Sequence, residues 1–168
     1  ASINEVKEAI DTIKNEGQNN IIIFHCISGY PTPIEQANLN GIKLLKKEFD
    51  VQVGLSDHTV GTLTSIVAVA LGVSVIEKHF TLSRKEGGPD SSFSLEPKEM
   101  KSMVKDTLKA HLSLGNDSKI RSEVEKTSKS FRRSIYFVKD INKGETITDK
   151  HIKRIRPGFG LEPKFFFD

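Results

Sequence analysis

The sequence predicts an α/β fold in which the strands form a parallel sheet. Short β-branched runs such as Ile21–Phe24 show no alternation of apolar and polar residues, which is typical of strands covered on both faces. Segments with helical periodicity separate these runs, so the order is one helix followed by three strand–helix pairs. That alternation predicts a sheet built from right-handed crossover units.

Local signals mark where the predicted helices begin and end. Two capping boxes, Ser2-Ile3-Asn4-Glu5 and Thr32-Pro33-Ile34-Glu35, each begin a helix, because the first side chain accepts a hydrogen bond from an amide that has no partner in the helix. We expect the first helix to end at Gly17 and the second at about Phe49. The remaining elements are strands over 51–55 and 73–76, a helix over 66–71, and a helix from Pro97 with Met100, Met103, Val104, Leu108 and His111 on one side.

The C-terminal third has a different pattern. Residues 113–130 are rich in Ser, Gly, Asn, Asp, Lys and Glu, a composition that predicts a linker. Beyond it we expect a strand over Ser134–Val138, a turn at 142–144, a short capped helix over Thr148–Ile152 and a loop over 156–160.

Composition excludes several classes of protein. Ile, Leu, Val and Phe make up 50 of the 168 residues, enough apolar side chains for a packed core. No apolar stretch is long enough for a transmembrane helix, and the pattern of aromatic and basic residues is not that of a protein that binds single-stranded nucleic acid. We therefore expect the protein to bind neither a membrane nor a nucleic acid. The single cysteine, Cys26, excludes an intrachain disulfide and indicates a reducing compartment, and the first residues do not resemble a signal peptide. We therefore expect a cytoplasmic protein.

Polar residues follow the predicted strands, and two of them are histidines at matched positions. His58 and His79 each end a strand, and the two strands are consecutive. Neighbouring strands lie about 4.8 Å apart, so both imidazoles can reach one metal ion. The alternative is that these are hydrogen-bonded polar residues without a ligand. In that case Asp57 caps the following turn, and Glu77 and Lys78 form an ion pair. Cys26 is interpreted as a small buried apolar residue.

A set of sequence segments, in a fixed order, resembles a known family. The segments are His25-Cys26, Tyr30-Pro31-Thr32-Pro33, Gly54-Leu55-Ser56-Asp57-His58-Thr59, Ala68-Val69-Ala70-Leu71-Gly72, Ile76-Glu77-Lys78-His79-Phe80-Thr81-Leu82, Gly88-Pro89-Asp90, Ser94-Leu95-Glu96-Pro97, Arg133-Ser134 and Arg156-Pro157-Gly158. Together they resemble the sialic acid synthases, which condense phosphoenolpyruvate with an N-acetylated amino sugar to make nonulosonic acids. The segments Gly87–Leu95 and Phe131–Ser134 look most like the pseudaminic acid synthases.

The resemblance implies a fold of two domains. The family has a (β/α)₈ TIM barrel joined by a linker to a small antifreeze-like (SAF, β-clip) domain. A whole barrel needs about 250 residues, whereas three strand–helix pairs precede the linker here. We therefore expect a C-terminal fragment, inactive alone, with the end of the barrel over 1–115, a linker over 116–130 and a truncated SAF domain over 131–168.

The resemblance also implies roles for individual residues inside the barrel. His58 and His79 are expected to bind a divalent ion, manganese in the first place and magnesium or cobalt as alternatives, which polarises the sugar aldehyde as a Lewis acid. Carbon 3 of phosphoenolpyruvate then attacks the aldehyde, water adds to carbon 2, and phosphate leaves by C–O cleavage. Ser56 is expected near the phosphate, Asp90 at the sugar hydroxyls as a third catalytic residue, and Tyr30 in the pocket wall.

Three further binding positions follow from the resemblance. Ser28 stands where some relatives have asparagine. Arg156 is expected to reach the acylated sugar from the partner subunit of a homodimer, because in the family the small domain covers the partner's barrel. Phe131 is expected near the same pocket.

Two alternatives to a pseudaminic acid synthase stay open. One is a neuraminate or legionaminate synthase. The other, in a different class, is a dimeric module that binds a sugar or an anion without catalysis.

Overall fold

A computed structural model of the chain describes residues 1–116 and 122–167. The chain divides into two compact units, Ala1–Asn116 and Asp117–Asp168. Within the described ranges, no helix combines the length and the apolar character that crossing a membrane requires.

The first unit contains a parallel three-stranded sheet with helices between the strands, as predicted. Its elements are, in chain order, α1 (Ile3–Asn15), β1 (Ile22–Cys26), a 3₁₀ helix (Ile34–Gln36), α2 (Asn40–Glu48), β2 (Gln52–Asp57), α3 (Leu63–Ala70), β3 (Ile76–Lys78), a 3₁₀ helix (Arg84–Glu86) and α4 (Pro97–Leu114). The strand order is β1-β2-β3, so consecutive strands are neighbours and their carboxyl ends meet at one edge.

The core of this unit lies between the sheet and its helices. It consists of buried aliphatic side chains from β2, from α2 and α3 and from the segment before β3, namely Ile42, Val53, Leu55, Ala68, Val69 and Val73. Successive side chains of a strand point to opposite faces. Since Val53 and Leu55 of β2 face the helices, Gly54 and Ser56 face the other side of the sheet.

That other face is open, and this corrects one expectation. The run Ile21–Phe24 was expected to be covered on both faces, but Ile22 and Phe24 are 40% and 38% exposed. The reason is that these side chains point away from α2 and α3, whose packing buries the other face of the sheet. Cys26, expected to be buried, is exposed on this face for the same reason.

Two predicted element boundaries and one predicted apolar stripe are also wrong. The helix expected up to Phe49 is interrupted before α2, because Asn38 adopts a left-handed conformation with φ 44°. The third strand begins at Ile76, three residues later than predicted, because Val73 still donates a backbone hydrogen bond to Ala68 in the last turn of α3. In α4, Met103 is the buried residue, whereas Val104, Leu108 and His111 of the predicted stripe are exposed.

An ion pair joins the loop after β3 to the start of α4. Arg84 donates to both carboxylate oxygens of Glu99, at 2.5 and 2.9 Å. The carboxylate of Glu99 also accepts from the Glu96 amide and so caps the helix. These hydrogen bonds, that from Arg84 first, lower the pKa of Glu99 to about 2. The loop that carries residues 87–95 is therefore held at both ends.

The second unit contains a short helix, a two-stranded antiparallel sheet and two 3₁₀ helices. Its elements are α5 (Glu123–Thr127), a 3₁₀ helix (Ser128–Phe131), β4 (Ser134–Phe137), β5 (Ile152–Ile155) and a 3₁₀ helix (Pro163–Phe167). Helix α5 lies within the predicted linker over 116–130, of which residues 117–121 are outside the described residues.

The short helix expected over Thr148–Ile152 is a turn. The ring of His151 accepts a hydrogen bond from the Thr148 amide, and the His151 amide donates to the Thr148 carbonyl. These two hydrogen bonds form a single turn over residues 148–151, and no helix follows because Ile152 is already the first residue of β5.

Candidate active site at the carboxyl ends of the strands

Polar side chains collect on the open face of the sheet, at the carboxyl ends of β2 and β3. Ser56 and Glu77 are register partners on the two strands, and the Ser56 hydroxyl donates to the Glu77 carboxylate at 2.7 Å. The alternative in which Glu77 forms an ion pair with Lys78 is therefore wrong, because adjacent strand residues point to opposite faces. Glu77 belongs to the site, and its alternation with Lys78 was the signal that sequence reasoning missed.

His58 follows β2 directly and is held in one orientation. Its side chain is nearly buried, at 6% exposure, and Nδ1 lies 2.9 Å from the carbonyl oxygen of Ile27. A neutral imidazole that donates Nδ1–H to this carbonyl presents the lone pair of Nε2 on the other side of the ring. Its backbone is also fixed, because the His58 carbonyl accepts from the Thr32 amide at 2.9 Å.

His79 occupies the same position after β3. Its ring centroid lies 5.1 Å from that of His58, so the two matched histidines do meet. His79 Nδ1 lies 3.6 Å from an Asp90 carboxylate oxygen. Asp90 lies in the loop that precedes Leu95. The Leu95 amide donates to the His79 carbonyl at 2.9 Å, which holds the end of this loop beside His79.

Two aromatic rings complete the surroundings of the histidines. The Tyr30 ring lies 4.3 Å from His58 and 6.0 Å from His79, centroid to centroid. The Phe93 ring lies 4.9 Å from His79 and 6.2 Å from Tyr30, and Phe93 is 3% exposed. Sequence reasoning did not single out Phe93. An apolar residue within a polar Gly-Pro-Asp-Ser-Ser segment was the available signal.

The two imidazoles fit a divalent metal ion. Imidazole nitrogen bonds such ions at about 2.1 Å, and rings 5.1 Å apart can share one ion. Each ring also has an oxygen atom beside Nδ1, the Ile27 carbonyl at 2.9 Å for His58 and the Asp90 carboxylate at 3.6 Å for His79. Metal-binding histidines are commonly oriented by such an oxygen on the nitrogen that does not bind the metal. Among residues 1–116 and 122–167, no group of three or more His, Cys, Asp or Glu side chains surrounds a common point. His58 and His79 are therefore the two residues of this site that could hold such an ion.

Cys26 and Ser28 lie beside this site. The Cys26 sulfur is 3.9 Å from His58 Nδ1, at the end of β1. Ser28 is exposed in the segment that leads from β1 to Tyr30. Thr32 closes that segment, since its hydroxyl donates to the carbonyls of Ile27 and Gly29.

A buried ion pair lies on the opposite face of the sheet. Lys78 Nζ is 3.0 Å from an Asp57 carboxylate oxygen, and both side chains are 1% exposed. Asp57 also accepts hydrogen bonds from the Thr59 amide and hydroxyl and from the hydroxyls of Thr64 and Ser65, so it does cap the following turn. Burial alone would raise the pKa of Asp57, but the hydrogen bonds and the Lys78 charge together lower it. Asp57 is therefore ionised.

Two predicted site residues lie in the second unit. Phe131 and Arg156 are both exposed, Phe131 at the end of a 3₁₀ helix and Arg156 directly after β5. The Gly158 amide donates to the Ser130 carbonyl at 2.8 Å, which ties the loop after Arg156 to the residue before Phe131. Each of the two units thus carries part of the predicted residue set.

Comparison with known proteins agrees with the resemblance. The chain is 45% identical to an uncharacterized protein of Methanocaldococcus jannaschii, over 98% of this chain and 49% of that protein. It is 43% identical to a pseudaminic acid synthase of Campylobacter jejuni, over 99% of this chain and 48% of that protein. Among solved structures, an N-acetylneuraminic acid (sialic acid) synthetase of Leptospira borgpetersenii matches with a TM-score of 0.71 and 34% identity, over 76% of this chain and 45% of that one.

The two sequence matches cover nearly all of this chain and about half of each relative. The chain spans about half the length of the curated relatives that it matches. Residues 1–119, which include the sheet, both histidines and Asp90, match the NeuB family. The chain belongs to the NeuB family.

Proposed function

We propose that this chain is the C-terminal part of a longer enzyme that condenses phosphoenolpyruvate with an acetamido sugar to form pseudaminic acid. The observation that carries the proposal is the pair of imidazoles, 5.1 Å apart at the ends of adjacent parallel strands, in a chain that resembles synthases of this type. In this proposal β1–β3 belong to a (β/α)₈ barrel, and the second unit is the beginning of a SAF domain. The reducing compartment indicated by Cys26 favours the cytoplasm.

The proposed metal ligands are His58 and His79, with manganese as the expected ion. When bound, the ion acts as a Lewis acid toward the sugar aldehyde. The Ile27 carbonyl keeps the proton of His58 on Nδ1, which leaves Nε2 free as a ligand. Asp90, beside His79, is proposed to accept a hydrogen bond from a hydroxyl of the sugar.

The neighbouring residues are proposed to hold the two substrates. Ser56 can turn its hydroxyl from Glu77 to the phosphate of phosphoenolpyruvate, because the two groups are held by a single hydrogen bond. Carbon 3 of phosphoenolpyruvate forms the new bond to the aldehyde carbon. Water then adds to carbon 2, and the C–O bond to phosphate breaks. Tyr30, over half exposed, and Ser28 line the opening through which the sugar enters.

The second unit is proposed to act across a homodimer. The exposed Arg156 and Phe131 are carried by the segment that the Gly158–Ser130 hydrogen bond fixes. Residues 1–90 contain 8 Lys and Arg against 11 Asp and Glu, whereas residues 91–168 contain 17 against 11. Opposite net charges favour contact between the C-terminal part of one subunit and the N-terminal part of its partner.

A sugar-preference assay tests the proposed product. The purified full-length protein receives phosphoenolpyruvate, Mn²⁺ and, one at a time, the amino sugars that lead to pseudaminic, legionaminic and N-acetylneuraminic acid. We expect kcat/KM for the first sugar to exceed the others by at least about a hundredfold, because a site built to hydrogen-bond specific substituents rejects analogues that leave its polar groups unpaired. A preference for either other sugar would contradict the assignment to pseudaminic acid.

A further inference from the structure

The Asp57–Lys78 ion pair stands directly behind the two histidines. Asp57 precedes His58 and Lys78 precedes His79 in the chain, and Asp57 and Lys78 are register partners on β2 and β3. The charged pair faces α3, and each imidazole extends from the next residue toward the open face. The contact between the charged groups therefore links the two strands at the last position before the rings.

The same pair controls the backbone on both sides of His58. The Asp57 carboxylate accepts from the Thr59 amide at 2.9 Å, and the Lys78 ammonium donates to the Thr59 carbonyl. Residue 59 is thus bound through both of its backbone groups to side chains of β2 and β3. His58 therefore lies between Asp57, a member of the ion pair, and Thr59, which the ion pair holds.

Stability does not account for this arrangement. Taking two charges out of water costs free energy that their attraction often fails to recover, and well-packed apolar residues of similar size are frequently as stable or more stable. Both side chains are 1% exposed, and burial lowers the pKa of Lys78 despite the neighbouring carboxylate. A role in geometry explains why charged groups occupy these positions.

We propose that the Asp57–Lys78 ion pair is a positioning element that fixes the separation and direction of His58 and His79, and thereby the affinity of the site for its metal ion. The inference rests on the proposed function, in which the two imidazoles are the metal ligands. It assigns Asp57 and Lys78 no contact with substrate.

The test is a Mn²⁺ titration of the full-length protein by calorimetry. The double variant Asp57→Asn/Lys78→Met removes both charges and leaves none buried alone. We expect its Mn²⁺ dissociation constant to rise about 10- to 100-fold, as when groups that orient metal ligands are changed. We expect the thermal midpoint of the metal-free protein to stay within a few degrees of the original. The matched control, Asp11→Asn/Lys7→Met, removes an exposed ion pair on α1 and should leave both quantities unchanged.

Two outcomes separate this inference from the proposed function. If the parent protein binds Mn²⁺, His58→Ala abolishes binding and the folded double variant binds as tightly as the parent, the positioning role is refuted and the metal site stands. If His58→Ala binds Mn²⁺ like the parent, the metal site itself is refuted.

Should the double variant fail to fold, Ser65→Ala supplies the second measurement. It removes one hydrogen bond to Asp57 and leaves both charges in place. The positioning role predicts a rise in the Mn²⁺ dissociation constant of about threefold or more, and an unchanged constant would overturn it.

Discussion

Replacing His58 or His79 by alanine in the full-length protein is expected to lower the rate of condensation at least about a thousandfold. A metal ion that polarises a carbonyl contributes several kcal/mol to transition-state stabilisation, and each 1.4 kcal/mol corresponds to a factor of ten in rate. Each variant also loses one of the two imidazole ligands, so bound Mn²⁺ should fall well below one per subunit. Rate and metal content are measured on the same preparations.

The matched control for both variants is His111→Ala. His111 lies on the exposed surface of α4, so this change removes the same side chain outside the site and should leave turnover and metal content unchanged. Circular dichroism then shows whether the variants retain the fold. Wild-type turnover in His58→Ala or His79→Ala, with an unchanged metal content, would eliminate the metal assignment.

Replacing Arg156 by alanine is expected to raise the KM for the sugar about 10- to 100-fold, with a much smaller effect on the KM for phosphoenolpyruvate. A hydrogen bond to a charged group contributes about 1.5–3 kcal/mol, and only the sugar is proposed to touch the second unit. Equal effects on both substrates would indicate that Arg156 acts on the fold and not on the sugar.

Mixed dimers test whether Arg156 acts across subunits. One chain carries Arg156→Ala and the other His58→Ala, and two affinity tags isolate the heterodimer. If Arg156 serves the partner's site, one site receives both defects and the other none, so about half of the activity survives at low sugar concentration. If it serves its own site, each site has one defect and little activity remains.

The reciprocal heterodimer is the control. It pairs an unchanged chain with a chain that carries both substitutions. Action across subunits then leaves one defect in each site and little activity, whereas action within a subunit leaves one intact site. Half activity in this second heterodimer would overturn the proposed exchange of the small domain.

The sequence predicted some of the features that depend on neighbouring residues, although the capping box at Thr32 does not form because its hydroxyl donates to the carbonyls of Ile27 and Gly29. The capping box at Ser2 forms, with the Glu5 amide donating to the Ser2 hydroxyl, because both partners lie within one turn. The meeting of His58 and His79 was also predictable, since parallel neighbouring strands bring equivalent positions together. Each of these inferences needed only local periodicity and one topological rule.

Other features depended on contacts that the sequence does not display. Asparagine adopts a positive φ more readily than most residues, but Asn40 stands nearby, and the sequence does not show which asparagine separates the two helical segments. The turn at Thr148 forms because the Thr148 amide donates a hydrogen bond to the ring of His151. Phe93 joins the site because the loop returns along β3, where Leu95 bonds to His79.

The burial and pairing of Asp57 and Lys78 also could not be predicted from the sequence. Their sequence neighbours suggested a turn cap for Asp57 and a pairing of Lys78 with Glu77. Only the strand register places Lys78 opposite Asp57, and only packing against α3 removes both from water. Charged residues in a strand have two faces available, and tertiary packing decides which face each one takes.

We propose that the chain provides the metal-binding part of a synthase that makes a nonulosonic acid. To test this, a chelator removes metal from the purified full-length protein, which then receives phosphoenolpyruvate and the sugar precursor of pseudaminic acid. Product is followed by mass spectrometry, together with phosphate release. We expect no product until Mn²⁺ is restored, and then one nonulosonic acid for each phosphate released. Product at the same rate without any divalent ion, or none with Mn²⁺ present, would refute this proposal.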